Sequence, residues 1–223
     1  MRGLPESIRP DSRGRLIERL CYLLPPTLGV GAVGVLRDAE LGVPLLSRGL
    51  VLVATFGYTV LSLALAAAVF IDAREVRHVG GWEPRPLLYG AATLLAAPAV
   101  APVYLARRHV GFGTPPDRRE WWPLVALSLA TTLVGAGLAA VALVLAIPDL
   151  FGWAVGIAGA IAVGAFPVAI HRDAAYVSFQ HAGWEPNPGL YLGLASLSLF
   201  VPVLQPLLAA YYLHRRRRTV GFR

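Results

Sequence analysis

The chain has 223 residues, of which 56% are hydrophobic and only 15% charged, with a mean hydropathy of +0.60. Soluble chains carry about 25% charged residues. Here the charges are gathered into short blocks between long charge-free runs, which sets a soluble globular domain aside in favour of a membrane protein. The net charge of +7 comes with 20 basic residues that are all arginine. They flank apolar segments instead of marking a folded groove, which argues for the lipid bilayer as their partner and against nucleic acid.

Residues 1–19 are polar, and Pro5 and Pro10 argue against a helix before about Ser12. No small-x-small cleavage site precedes the charges at Arg37 and Asp38, so the segment is not read as a secretory signal. Six apolar runs follow, at residues 20–36, 49–71, 87–106, 121–147, 150–170 and 189–213. The first, of 17 residues, only just reaches a span, and the others, of 20 residues or more, are long enough to cross a bilayer core of about 30 Å as helices. The fold class is therefore all-α, a polytopic helical membrane protein.

The first run holds Gly29, Gly31 and Gly34 in a G-x-G-x-x-G spacing. A dinucleotide site would need a strand before it and an acidic residue about 20 positions on. Neither is present, so these glycines are read as a helix–helix contact. Cys21 is the single cysteine, which rules out an intrachain disulfide. The fifth run carries Gly152, Gly156, Ala160 and Gly164 at intervals of four. That stripe predicts close helix packing at the centre of the bundle.

One stretch occurs twice. It reads Trp82-Glu83-Pro84-Arg85-Pro86 and Trp184-Glu185-Pro186-Asn187-Pro188. Each copy is preceded by an Asp-Ala pair (Asp72, Asp173) and a histidine (His78, His181). Each is followed by paired prolines, Pro98 with Pro102 and Pro202 with Pro206, and then by arginines and Val-Gly-Phe. This order predicts a duplication of roughly 100 residues. The expected organisation is a polar segment 1–19, a first membrane repeat 20–112, a linker 113–120, and a second repeat 121–223 ending in a basic tail.

The repeated motif reads as an interfacial helix start. Trp prefers the headgroup level, and a proline at the first helical position costs no hydrogen bond. Glu83 and Glu185 would sit near a positive helix end. His78 and His181, with nearby carboxylates, are weak candidates for a metal or a pH sensor. Their spacing matches no strong ligand motif, and no cofactor is expected. Arg107, Arg108, Arg215, Arg216, Arg217 and Arg218 are read as lipid-phosphate and topology residues. Gln205 is the most polar residue inside any run, between two prolines that would break the helix.

Two topologies follow from the charges. With six crossings the arginines divide 13 against 7, both termini are cytoplasmic, and the two repeats are inverted. If the two proline-broken runs turn back instead, the division becomes 18 against 2 and the repeats are parallel. Run lengths of 20 and 25 residues favour six crossings, the reading adopted at this stage.

The run Tyr104-Leu105-Ala106-Arg107-Arg108-His109-Val110-Gly111, with the Trp184 motif, resembles a module of uncharacterised multi-pass membrane proteins of halophilic archaea. It covers residues 72–112 and 173–222. The resemblance implies a cell-membrane setting and no activity. Three functions are weighed. The first is a non-enzymatic scaffold or subunit that docks a membrane-protein partner or a second copy. The second is a small transporter or channel for a neutral solute, built from inverted repeats. The third, a lipid enzyme, ranks last for want of catalytic residues.

Overall fold

A computed structural model describes residues 11–41, 44–79, 82–115, 117, 119–180 and 183–222. These residues are helical, with no strand among them. The helices are α1 (Asp11–Leu41), α2 (Pro44–Val76), α3 (Pro86–Phe112), α4 (Trp122–Val144), α5 (Pro148–Gly164), α6 (Phe166–Ser178), α7 (Pro188–Leu197) and α8 (Leu204–Thr219). Among the described residues, five stretches are long and apolar enough to cross a membrane: Ser12–Val35, Leu46–Val76, Pro86–Phe112, Trp122–Val144 and Leu150–Ser178. The chain divides into two compact units, Met1–Pro115 and Pro116–Arg223.

In the first unit, α1 runs unbroken through Pro25 and Pro26. It begins well before the expected apolar run, because Ile17, Cys21 and Leu24 form one buried face that continues out of the polar segment. Cys21 is thus a core residue. Small residues let α1 approach α2. A Cβ at Gly31 would lie 3.1 Å from Ala54 Cβ, and one at Gly34 would lie 3.0 Å from Leu50 Cβ. The G-x-G-x-x-G spacing is therefore a packing seam.

The third element of this unit doubles back. Ala96 leaves helical geometry (φ −144°, ψ 56°) just before Pro98, splitting α3 into arms 86–95 and 97–112. Tyr89 and Tyr104 would be about 22 Å apart along a straight helix. Their ring centroids are 5.2 Å apart. A Cβ at Gly111 would lie 3.8 Å from Trp82 Cβ, so the segment's entry and exit meet. The first arm packs on the end of α2, where a Cβ at Gly90 would meet Phe70 Cβ at 3.2 Å. Ten residues rise about 15 Å, half the hydrocarbon thickness.

The second unit repeats this course with the breaks displaced. α5 and α6 follow each other through Ala165, whose backbone stays near helical values (φ −94°, ψ −38°). α7 has 10 residues and α8 has 16, with the turn 198–203 and Pro202 between them. Tyr191 on α7 and Tyr212 on α8 have ring centroids 5.0 Å apart, so this pair of helices is a hairpin as well. The expectation that residues 87–106 and 189–213 run straight across is corrected on this point. The proline-flanked breaks free the chain to reverse, and aromatic contacts at the open ends hold the arms together.

The small-residue stripe is also corrected. Gly152, Gly156, Ala160 and Gly164 are exposed, and a Cβ added at any of the three glycines meets nothing within 4 Å. The close approach is made on another face. There Gly135 of α4 abuts α5 so tightly that a Cβ would stand 2.5 Å from Ala158 Cβ and 3.2 Å from the Ala154 carbonyl. The core of this unit gathers Val125, Phe166, Ile170, Ala174, Leu208 and Tyr212. Away from the cores the helices show large apolar side chains outward, such as Phe56 (73% exposed), Leu95 (84%) and Val144 (84%), as lipid-facing surfaces do.

Candidate functional site

Each unit buries an aspartate in the helix that precedes its Trp motif. Asp72 lies one turn before the end of α2, and Asp173 lies in α6. Neither is more than 1% exposed. The returning arm of each hairpin supplies a tyrosine and an arginine four residues apart, a spacing that places both on one helix face. In the first unit the Tyr104 hydroxyl donates to Asp72 Oδ2 at 2.6 Å and Arg108 Nε donates to the same oxygen at 2.9 Å. In the second, the Tyr212 hydroxyl donates to Asp173 Oδ2 at 2.8 Å and Arg216 Nε donates at 2.8 Å.

The repeated Trp motif covers both clusters. Trp82 lies 6.0 Å from Tyr89 and 5.4 Å from Tyr104 between centroids. Trp184 lies 6.3 Å from Tyr191 and 5.4 Å from Tyr212. Pro84 and Pro186 are buried, Glu83 and Glu185 are exposed, and Pro86 and Pro188 open α3 and α7. The extended Trp-Glu-Pro-x stretch thus turns the chain and lays its indole on the aromatic pair. In the second copy Asn187 also caps α7, accepting from the Leu190 amide at 3.2 Å.

Asp173 is saturated. Its Oδ1 accepts the backbone amides of Trp121 and Trp122, each at 2.9 Å, which satisfies the orphan donors at the start of α4. With Tyr212 and Arg216 on Oδ2, the carboxylate receives four hydrogen bonds, its full capacity. Arg216 is 0% exposed. It also donates to the Gly221 carbonyl and reaches Glu120 Oε2 at 3.3 Å. Its guanidinium lies 5.8 Å from the Trp122 ring, which stacks on Phe222 at 4.5 Å. Arg108 is 3% exposed and occupies space left by Gly14, where a Cβ would stand 2.6 Å from Nη1.

The reading of Arg108 and Arg216 as lipid-phosphate residues is corrected by this burial. Arg107, Arg215, Arg217 and Arg218 are exposed, as that reading requires. His78 is exposed beside Arg13 and Arg74, a setting that repels a metal cation. His181 lies outside the described residues, among which no group of three His, Cys, Asp or Glu side chains could hold a metal. Gln205 is 3% exposed, and neither its amide nitrogen nor its oxygen has a partner. Chemically, each cluster is a buried ion pair, and in the second the carboxylate's hydrogen-bonding capacity is spent inward. The sequence signal for it was the recurrence of Asp, Trp and a Tyr-x-x-x-Arg in one order. Comparison with family models, curated proteins and solved structures returned no match.

Proposed function

We propose that this chain is a multi-pass membrane protein made of two copies of one module, each with two crossings and a re-entrant hairpin, and that it serves as a non-enzymatic membrane component. The observation that carries this reading is the saturation of Asp173 in the second unit, with Asp72 held by the corresponding Tyr104 and Arg108 in the first. A carboxylate whose lone pairs are all taken fastens a fold. It does not take up a proton, a metal or a substrate without breaking that fold. The fastening is needed because a hairpin that stops at mid-depth gains little from lipid contact alone.

Two crossings and a hairpin return the chain to the side from which it entered. Copies so built are parallel, which removes the inverted arrangement that would strengthen the transporter reading. Every connection except 37–48 and 145–149 then lies on one side, and 18 of the 20 arginines go with them. The positive-inside rule makes that side cytoplasmic. Membership of the archaeal membrane module is part of the same proposal. Reconstituted protein is expected to release entrapped glycerol or urea no faster than protein-free liposomes. Saturable release would overturn the non-transport reading.

A further inference from the structure

The first unit has a second feature, a cavity lined by other side chains than the ion pair's. This cavity, of about 320 Å³, is lined by Arg13 of α1 and by Phe70, Ile71, Arg74, Glu75 and His78 at the end of α2. Phe70 and Arg74 lie four residues apart on one face of α2, and His78 stands in the turn just past its end, so apolar and then polar side chains line the cavity in chain order. Glu75, the acid of the set, is engaged by Arg13. Among the described residues, no hydrogen bond or ion pair engages the side chain of Arg74 or His78.

We propose that this cavity binds the phosphate of an anionic phospholipid. Arg74 and His78 would receive the phosphate oxygens, while Phe70 and Ile71 lie against the upper acyl chain. The arrangement fits an amphiphile, with donors above and apolar side chains below. The guanidinium of Arg74 binds phosphate oxygens through paired N–H donors. The C-terminus of α2 carries a partial negative charge equivalent to about half an electron; with Glu75 neutralised by Arg13, the full charge of Arg74 outweighs it. The cations that exclude a metal from His78 are the ones that attract a phosphate. This inference rests on the membrane reading above.

The test is native mass spectrometry of the full chain in detergent, titrated with dioleoyl phosphatidylglycerol and, separately, dioleoyl phosphatidylcholine. The anionic lipid is expected to bind about tenfold more tightly, and Arg74→Gln with His78→Gln to abolish that preference. A matched control that also removes one arginine and one histidine, Arg119→Gln with His214→Gln, both exposed, is expected to stay within about twofold of the parent. Circular dichroism of each variant confirms that its helices persist. Equal binding of the two lipids, an unaffected pocket variant, or an equal loss in the control would overturn the proposal. Displacement of the lipid by excess inorganic phosphate would assign the pocket to free phosphate and overturn it too. Release of the chain from cell membranes by alkaline carbonate would instead overturn the membrane reading, a failure distinct from loss of lipid selectivity.

Discussion

Replacing Asp173 with Asn removes the charge that balances Arg216 while leaving the side chain nearly isosteric. Arg216 is 0% exposed, so its guanidinium cannot turn to water without opening the hairpin. Breaking one partner of a buried pair costs about 3–5 kcal/mol, because the other charge stays buried and uncompensated. Asn also presents a single acceptor oxygen in place of the two that now serve four donors. A loss of about 4 kcal/mol is a large fraction of the 5–15 kcal/mol that holds a typical domain. The assay is SDS-titration unfolding of the detergent-solubilised protein, followed by circular dichroism. Asp173→Asn is expected to unfold at markedly lower SDS. The pair Asp173→Asn with Arg216→Met should recover part of the loss, since no buried charge is left alone. Asp72→Asn with Arg108→Met repeats the test on the first unit. An Asp173→Asn protein within about 0.5 kcal/mol of the parent would refute the fastening role.

Gly135→Leu forces a side chain onto Ala158 and the Ala154 carbonyl and should cost about 1–3 kcal/mol in the same titration, whereas Gly156→Leu on the exposed stripe should stay within about 0.5 kcal/mol. Gln205→Leu removes two unpaired buried polar atoms and is expected to stabilise the protein by about 1–3 kcal/mol; destabilisation would mean that the amide has a partner outside this chain. Ala146 holds a φ of 52° between α4 and α5, so Ala146→Gly should stabilise by up to about 1 kcal/mol, read as a shift in the unfolding midpoint.

The membrane character and helical class were legible in composition and run length, because a bilayer imposes both directly. The Trp-Glu-Pro-x-Pro starts were legible as well, since proline can open a helix but not continue one. The hairpins were not. A charge-free run of 20 or 25 residues has the length of a crossing, and only contacts distant in sequence, Tyr89 on Tyr104 and Tyr191 on Tyr212, reveal the reversal. Under the proposed topology the 18-to-2 division of arginines would be its trace, and run length argued against it. The paired prolines were aligned as 98 with 202, yet Pro98 and Pro206 each precede the clustered tyrosine by six residues, so the second copy's extra residues fall in its turn. The stripe on α5 shows a further limit. Periodicity identifies a close-packing face without saying whether anything in the chain packs on it. The arginines could not be sorted by sequence either. Arg107 and Arg108 are adjacent, but helical geometry turns one outward and the other onto Asp72.

Cysteine accessibility in intact cells tests the two-hairpin topology most directly. On a Cys21→Ser background, single cysteines replace Thr114, Leu145 and Thr219, positions that follow the first hairpin, α4 and the second hairpin. With a membrane-impermeant maleimide, Leu145→Cys is expected to label in intact cells, while Thr114→Cys and Thr219→Cys label only after lysis. Labelling of Thr114→Cys in intact cells with Thr219→Cys still protected would mean that residues 86–112 cross the bilayer, and would contradict the account.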